Sequence, residues 1–180
     1  HKSDNFEVKL KENDEKIIVI QQFFIPDNKE RYDELKQTLK FNLNNKNIDK
    51  IYLLNEKIYS DYELGLTDVE KLSIDLFKKD VYKKKVNDKI TQINMKKRLT
   101  FKQALDFVKG DSIKGYIVIL NTDIFLDNTI RNLRKTTFDK EKGMFSLLRW
   151  EFTNKNLNKC KLFGHKMPGR GDSQDSWILH

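Results

Sequence analysis

Asn121, Thr122 and Asp123 form a polar triplet directly behind the most apolar run in the sequence, residues 115–120. A carboxylate at such a point can hold a divalent cation against a diphosphate. Mg²⁺ and Mn²⁺ prefer carboxylate and phosphate oxygens, and they often take only one or two carboxylates from a protein. The competing reading is that Asn121 and Asp123 only turn the chain out of a strand. A second carboxylate, Asp175, lies in the run Ser173, Gln174, Asp175, Ser176, Trp177, after a glycine-containing approach at Gly169 and Gly171. With Ser173 as N-cap, this run reads as the first turn of a helix. The helix dipole would then keep Asp175 ionised, as a general base requires if an acceptor hydroxyl lies within hydrogen-bond reach. Alternatively, Asp175 only assists the cap and Trp177 packs in the core.

The elements that must position these groups follow from hydrophobic periodicity. Residues 17–25 are apolar, interrupted by glutamine and rich in β-branched side chains, which predicts a buried strand ended by Pro26. Asp27 followed by Glu30 resembles a capping box. Tyr32, Leu35, Leu39 and Leu43 then recur at helical spacing, and residues 51–54 make a second strand. Strand, helix and strand within this span have the length of one parallel crossover. Residues 56–88 read as a surface insertion, with Thr67 and Glu70 as a possible cap for a helix carrying Val69, Leu72 and Leu76. A strand is expected at 90–93. Thr100 and Gln103 form a capping box for a helix with Phe101, Ala104, Leu105 and Val108 on its apolar stripe, ended near Gly110. Residues 115–120 are apolar on both faces, as in a central parallel strand covered by helices. Asp127 caps a short helix with Ile130 and Leu133, residues 144–150 form a further strand, and 154–170 read as a loop. The alternation predicts an α/β sandwich with a mostly parallel sheet. Ligands bind such sheets beyond the carboxyl ends of the strands, where the Asn121–Asp123 triplet falls.

The chain has 180 residues, enough for one domain with its own core. Apolar residues make up 38% and charged residues 34%, which excludes a membrane-spanning or disordered chain, and no Arg-flanked signal sequence opens it. The net charge is +8, but the 35 Lys and Arg are interspersed with 27 Asp and Glu rather than gathered in a stripe. A nucleic-acid partner is therefore not expected. Cys160 is the single cysteine, so no internal disulfide or thiol zinc site forms, and a reducing compartment, the cytoplasm, is expected.

Together, these segments resemble a family of GT-A glycosyltransferases found in bacteria and large DNA viruses. The matching pieces are the strand ending in Gln21, Gln22, Phe23 and Phe24; residues 98–104; NTDIFLD at 121–127; LLRWE at 147–151; and SQDSW at 173–177. The family shows a strand leading into N-x-D-I-x-x-D, then a strand ending in R-W, then S-Q-D-x-W, in this order and at these separations. The match runs from Ile17 onward and leaves 56–88 aside. Asn121 stands where the first aspartate of the usual DxD signature would be, so the metal assignment rests on Asp123.

The resemblance implies a single GT-A domain over 1–180, a three-layer sandwich expected to be truncated at its C-terminal end, since GT-A domains are often longer. It implies transfer of a sugar from a nucleoside-diphosphate sugar to a glycan or glycoprotein acceptor, with a divalent cation, Mn²⁺ before Mg²⁺. Asp123 would be the metal ligand and Asn121 a contact to ribose or metal-bound water. Gln22 and Phe23 would meet the nucleoside, and Arg98 would pair with the diphosphate, which suits a planar, always charged group. Arg149 and Trp150 would contact the donor, with Trp150 as a sugar platform and Glu151 as a hydroxyl partner. Asp175 would be the base of an inverting reaction, or would orient the donor if configuration is retained. His165 and His180 are possible extra metal ligands. Resemblance and lysine-rich composition together suggest a viral source.

Three rival readings remain. An α/β nucleotidyltransferase also places carboxylates after a parallel strand, but it would usually show a glycine-rich phosphate loop near the N-terminus, and residues 17–27 contain no glycine. An adhesion module rests only on GRGDS at 169–173, which overlaps SQDSW. A basic nucleic-acid module has no recognition-helix, zinc or aromatic RNA-binding pattern to support it.

Overall fold

The computed structural model describes residues 12–66, 88–140, 143–148, 150–151, 161–162 and 174–180. The order is β1 (Ile17–Gln21), α1 (Lys29–Asn44), β2 (Lys50–Asn55), β3 (Ile90–Asn94), α2 (Phe101–Gly110) and β4 (Tyr116–Leu120). Two 3₁₀ segments (Asn128–Lys135, Phe138–Lys140) lead to β5 (Met144–Leu148), β6 (Trp150–Glu151), β7 (Lys161–Leu162) and β8 (Gln174–Leu179). A six-stranded sheet has the order β3-β2-β1-β4-β8-β5, and β6 and β7 form a separate two-stranded ladder. The pairs β1–β2, β1–β4 and β2–β3 are parallel, whereas β8 is antiparallel to both of its neighbours.

All residues of β1 and β4 are buried, as expected for strands covered on both faces. Ile17, Val19, Tyr116, Val118 and Leu120 pack with Leu35 and Leu39 of α1 and with Ile130, Leu133 and Phe138 of the 3₁₀ segments. Ile18, Ile20, Ile117 and Ile119 pack with Ala104, Phe107 and Val108 of α2. The result is a three-layer α/β sandwich. β1 is shorter than its apolar pattern suggests: beyond Gln21, the Phe23 N–H donates to the side chain of Asn55 at 2.7 Å rather than to a ladder carbonyl.

Local signals set the helix ends. Asn28 caps α1 by accepting from the Arg31 N–H, one position later than the expected cap. At α2 the Thr100–Gln103 capping box forms in both directions, and Asp127 caps the 3₁₀ segment. Residues 67–87, where a helix was expected, lie outside the described residues.

Two expectations are corrected. Residues 174–179 form a strand, not a helix: Ser176 and Ile178 are buried while Asp175, Trp177 and Leu179 alternate with them, a period of two. Within the expected loop 154–170, Lys161–Leu162 pairs with Trp150–Glu151.

Candidate functional site at the carboxyl end of the parallel strands

β4 ends at Leu120, and its partner in β8 is Ser176. One step further, the Asn121 N–H donates to the Asp175 carbonyl at 3.1 Å, and Asn121 Nδ2 donates to Asp175 Oδ1 at 3.0 Å. Two segments far apart in sequence thus meet through both backbone and side chain. Asp175 owes this position to strand pairing, so the helix-dipole rationale for its ionisation does not apply.

Asp123 lies two residues beyond Asn121 and is 25% exposed; its Oδ2 accepts from Arg31 Nη2 at 2.8 Å. Arg31 also donates through Nη1 to Glu34 Oε2 at 2.7 Å. Hydrogen bonding to Asp123 is the main cause that raises the Arg31 pKa above its ordinary value. Arg31 belongs to the first turn of α1, so the same end of the sheet receives the positive end of a helix.

The loop carrying Asp123 is fastened to α1 by two buried asparagines. Asn42 Oδ1 accepts from the Leu126 N–H at 2.9 Å, and its Nδ2 donates to the Ile124 carbonyl at 3.0 Å and to Gln21 Oε1 at 3.3 Å. Asn45 Nδ2 donates to the carbonyls of Leu126 and Asp127 at 2.9 and 3.0 Å. Buried backbone groups in a loop need such partners, because each orphaned group carries a large desolvation cost.

On the α2 side, Gln22 Oε1 accepts from the Leu99 N–H at 3.3 Å, which joins the end of β1 to the segment before α2. The buried Nε2 of Gln22 has no partner among the described residues. The chain leaves β3 through Lys96 at φ 58°, a left-handed conformation supported by the Lys96 N–H donating to Asn94 Oδ1 at 2.9 Å. Exposed Lys96, Lys97 and Arg98 follow, immediately before the Thr100 cap. Phe101 and Trp177 pack edge to face, with centroids 5.3 Å apart, two residues along β8 from Asp175.

The structure therefore joins Asn121 to Asp175, places Asp123 two residues on with its carboxylate on Arg31, and joins Gln22 to the segment behind Arg98. Phe23 does not present a ring to a ligand: it is fully buried and packs against Tyr32 and Tyr59. His180 lies at the opposite end of β8, with its Nε2 3.7 Å from Glu15 and its ring against Tyr116, so it cannot share a ligand with Asp123. Arg149 and His165 lie outside the described residues, as does the side chain of Trp150; the backbone of Trp150 pairs with Leu162. Among the described residues, no group of three or more His, Cys, Asp or Glu side chains is assembled to hold a metal ion. The oxygen donors present, Asp123 above all, are of the type that hard divalent cations take.

The sequence reading missed Arg31, Asn42 and Asn45. Arg31 was detectable as a cation in the first turn after the carboxyl end of β1. Asn42 was detectable as a polar residue three and seven positions after Leu39 and Leu35 of the apolar stripe.

No protein-family model matches the chain, and no curated protein matches it. Among solved structures, it is similar to 4-diphosphocytidyl-2C-methyl-D-erythritol synthase from Anaerococcus prevotii. The identity is 15% and the TM-score 0.38, over 92% of this chain and 70% of that one. Among the described residues, no helix is long and apolar enough to cross a membrane.

Proposed function

We propose that this chain is a glycosyltransferase of the GT-A type, moving a sugar from a nucleoside-diphosphate sugar to a hydroxyl of a glycan or glycoprotein in the cytoplasm. The observation that carries this reading is the junction of Asn121 and Asp175, with Asp123 two residues on, at the carboxyl end of a central parallel strand. A divalent cation, Mn²⁺ before Mg²⁺, would take Asp123 as its protein ligand and draw its remaining ligands from diphosphate oxygens and water. Bound there, it would offset negative charge on the departing diphosphate.

The chain's own residues have separate tasks. Asp175 accepts the proton of the acceptor hydroxyl, whose oxygen bonds to the anomeric carbon as the bond to the diphosphate breaks. The electron pair of that bond leaves on the diphosphate oxygen. Asn121 Nδ2 fixes the orientation of the Asp175 carboxylate. Arg98, exposed beside the α2 N-terminus, pairs with the diphosphate. Gln22 offers its amide nitrogen, which has no partner among the described residues, to the nucleoside. Arg149 and Trp150 retain the donor-contact roles that the resemblance implies.

Calorimetric titration with a panel of nucleoside diphosphates, nucleoside-diphosphate sugars and nucleoside triphosphates, in Mn²⁺ and in EDTA, tests this. One diphosphate nucleotide and its sugar should bind with Mn²⁺, and Asp123→Ala should weaken that binding at least about tenfold, as expected for loss of a metal ligand or its immediate support. Saturation by a triphosphate but not by a sugar nucleotide would instead favour nucleotidyl transfer. A folded protein that binds none of them has no donor site.

A further inference from the structure

Asp123 already has a cationic partner. Arg31 Nη2 sits 2.8 Å from Asp123 Oδ2, so a cation on this carboxylate, whichever oxygen it takes, would lie beside the guanidinium. The two positive groups repel each other there, and the more mobile partner gives way. Asn42 and Asn45 fasten the Asp123 loop to α1 through buried hydrogen bonds, whereas the Arg31 side chain is 40% exposed and swings on its own rotatable bonds. The guanidinium therefore leaves, and its contact with Glu34 gives it somewhere to remain.

We infer that Arg31 is an anion-binding residue of the donor site, held on Asp123 until a divalent cation takes that carboxylate and then transferred to the diphosphate that arrives with the cation. This rests on the donor-site reading of Asp123. Bare cation has to break the Arg31–Asp123 pair without replacing it, while cation with diphosphate gives the guanidinium a new two-oxygen partner of the kind it pairs with best. Metal and diphosphate consequently favour each other's binding, and the coupling is reciprocal. A partly exposed ion pair of this kind accounts for up to about fivefold in an equilibrium.

The test is Mn²⁺ titration followed by electron paramagnetic resonance of the free ion, with and without UDP, GDP or CDP, on the wild type, Arg31→Met, Arg31→Lys, Asp123→Asn and the Arg31→Met/Asp123→Asn double variant. Without nucleotide, Arg31→Met should bind Mn²⁺ about fivefold more tightly than the wild type, and that gain should vanish in the double variant. With the diphosphate that binds, the enhancement of Mn²⁺ affinity seen in the wild type should shrink in Arg31→Met. Arg31→Lys keeps a charge for Asp123 and should hold bare Mn²⁺ affinity within about twofold of wild type, a range that solvent-exposed pairs span. Asp123-dependent Mn²⁺ binding that is equal in the wild type and Arg31→Met would overturn this inference alone. Absence of Asp123-dependent binding in every variant would overturn the donor-site reading as well.

Discussion

Replacing Asn42 with alanine should both destabilise the protein and loosen the loop that carries Asp123. The Asn42 side chain is fully buried and makes three hydrogen bonds, to the Leu126 N–H, the Ile124 carbonyl and Gln21 Oε1. Truncation strands all three partners, and Gln21 Nε2 already lacks one among the described residues. A stranded buried polar group costs about 1–3 kcal/mol, and water entering the vacated space recovers part of it. A net loss of about 3 kcal/mol follows, a large share of the roughly 5–15 kcal/mol that holds a typical domain together. At a urea slope of about 2 kcal/mol/M, the unfolding midpoint falls by about 1.5 M with little change in slope. Asn45 holds the same loop to the same helix, so Asn42→Ala and Asn45→Ala should be non-additive by more than about 0.5 kcal/mol in a double-mutant cycle. An Asn42→Ala midpoint within about 0.3 M of wild type, on the same slope, would refute the claim that this side chain fastens the loop.

Two further outcomes follow from the scaffold. Lys89 Nζ, half buried, donates to the carbonyls of Leu43 and Asn45 at 2.7 Å each and closes the C-terminal end of α1, whose last turn carries no basic residue. Burial lowers its pKa to about 8, against an attraction from Asp49 that raises it. Between about pH 8 and 10, the unfolded chain therefore binds a proton that the folded chain has released. Stability should rise with pH across that window by about 1 kcal/mol after solvent screening, and the rise should be absent in Lys89→Met. Above pH 10, Tyr32 and Tyr59, whose pKa values burial raises, reverse the slope. Gly115 has φ 117°, and an added Cβ would sit 2.4 Å from the Lys16 carbonyl oxygen, whereas Gly110 has nothing within 4 Å. Gly115→Ala should cost about 3 kcal/mol and lower the melting temperature by about 6–12 °C, while Gly110→Ala leaves it unchanged or higher.

The central sheet was legible because its signals are local. The apolar run before Asn121, the Thr100–Gln103 box and the Asp127 cap each act within a few residues, and each forms as read. Residues 174–179 were misread because six residues following a serine that reads as a cap fit a helix turn and a half-buried strand equally well. Their state is decided by pairing with β4 and β5, which no short window contains. The same limit applies to the site. Asn121 and Asp123 were visible from their place after an apolar strand, but Arg31 reaches Asp123 across 92 positions and Asn42 reaches Leu126 across 84. Phe23 lies beside a glutamine at the end of β1, and only the packing of Tyr32 and Tyr59 reveals that it faces the core.

The placement of β8 has a consequence during synthesis. This strand follows β5 in sequence yet lies between β4 and β5 in the sheet. On a ribosome, Tyr116–Leu120 can pair with β1 early, but its other edge stays open until residues 174–179 emerge. The interval between Leu120 and Gln174 lasts on the order of 3–11 s at a rate of roughly 5–20 residues per second. For that time the nascent chain exposes a bare, wholly apolar strand edge, the kind of surface that recruits other chains. Because Asp175 arrives on the strand that closes this edge, its junction with Asn121 forms in the same event that removes the hazard. A chain stalled before residue 174 would be sticky and without its site, and slowing elongation in this window should lower the soluble yield more than slowing it elsewhere.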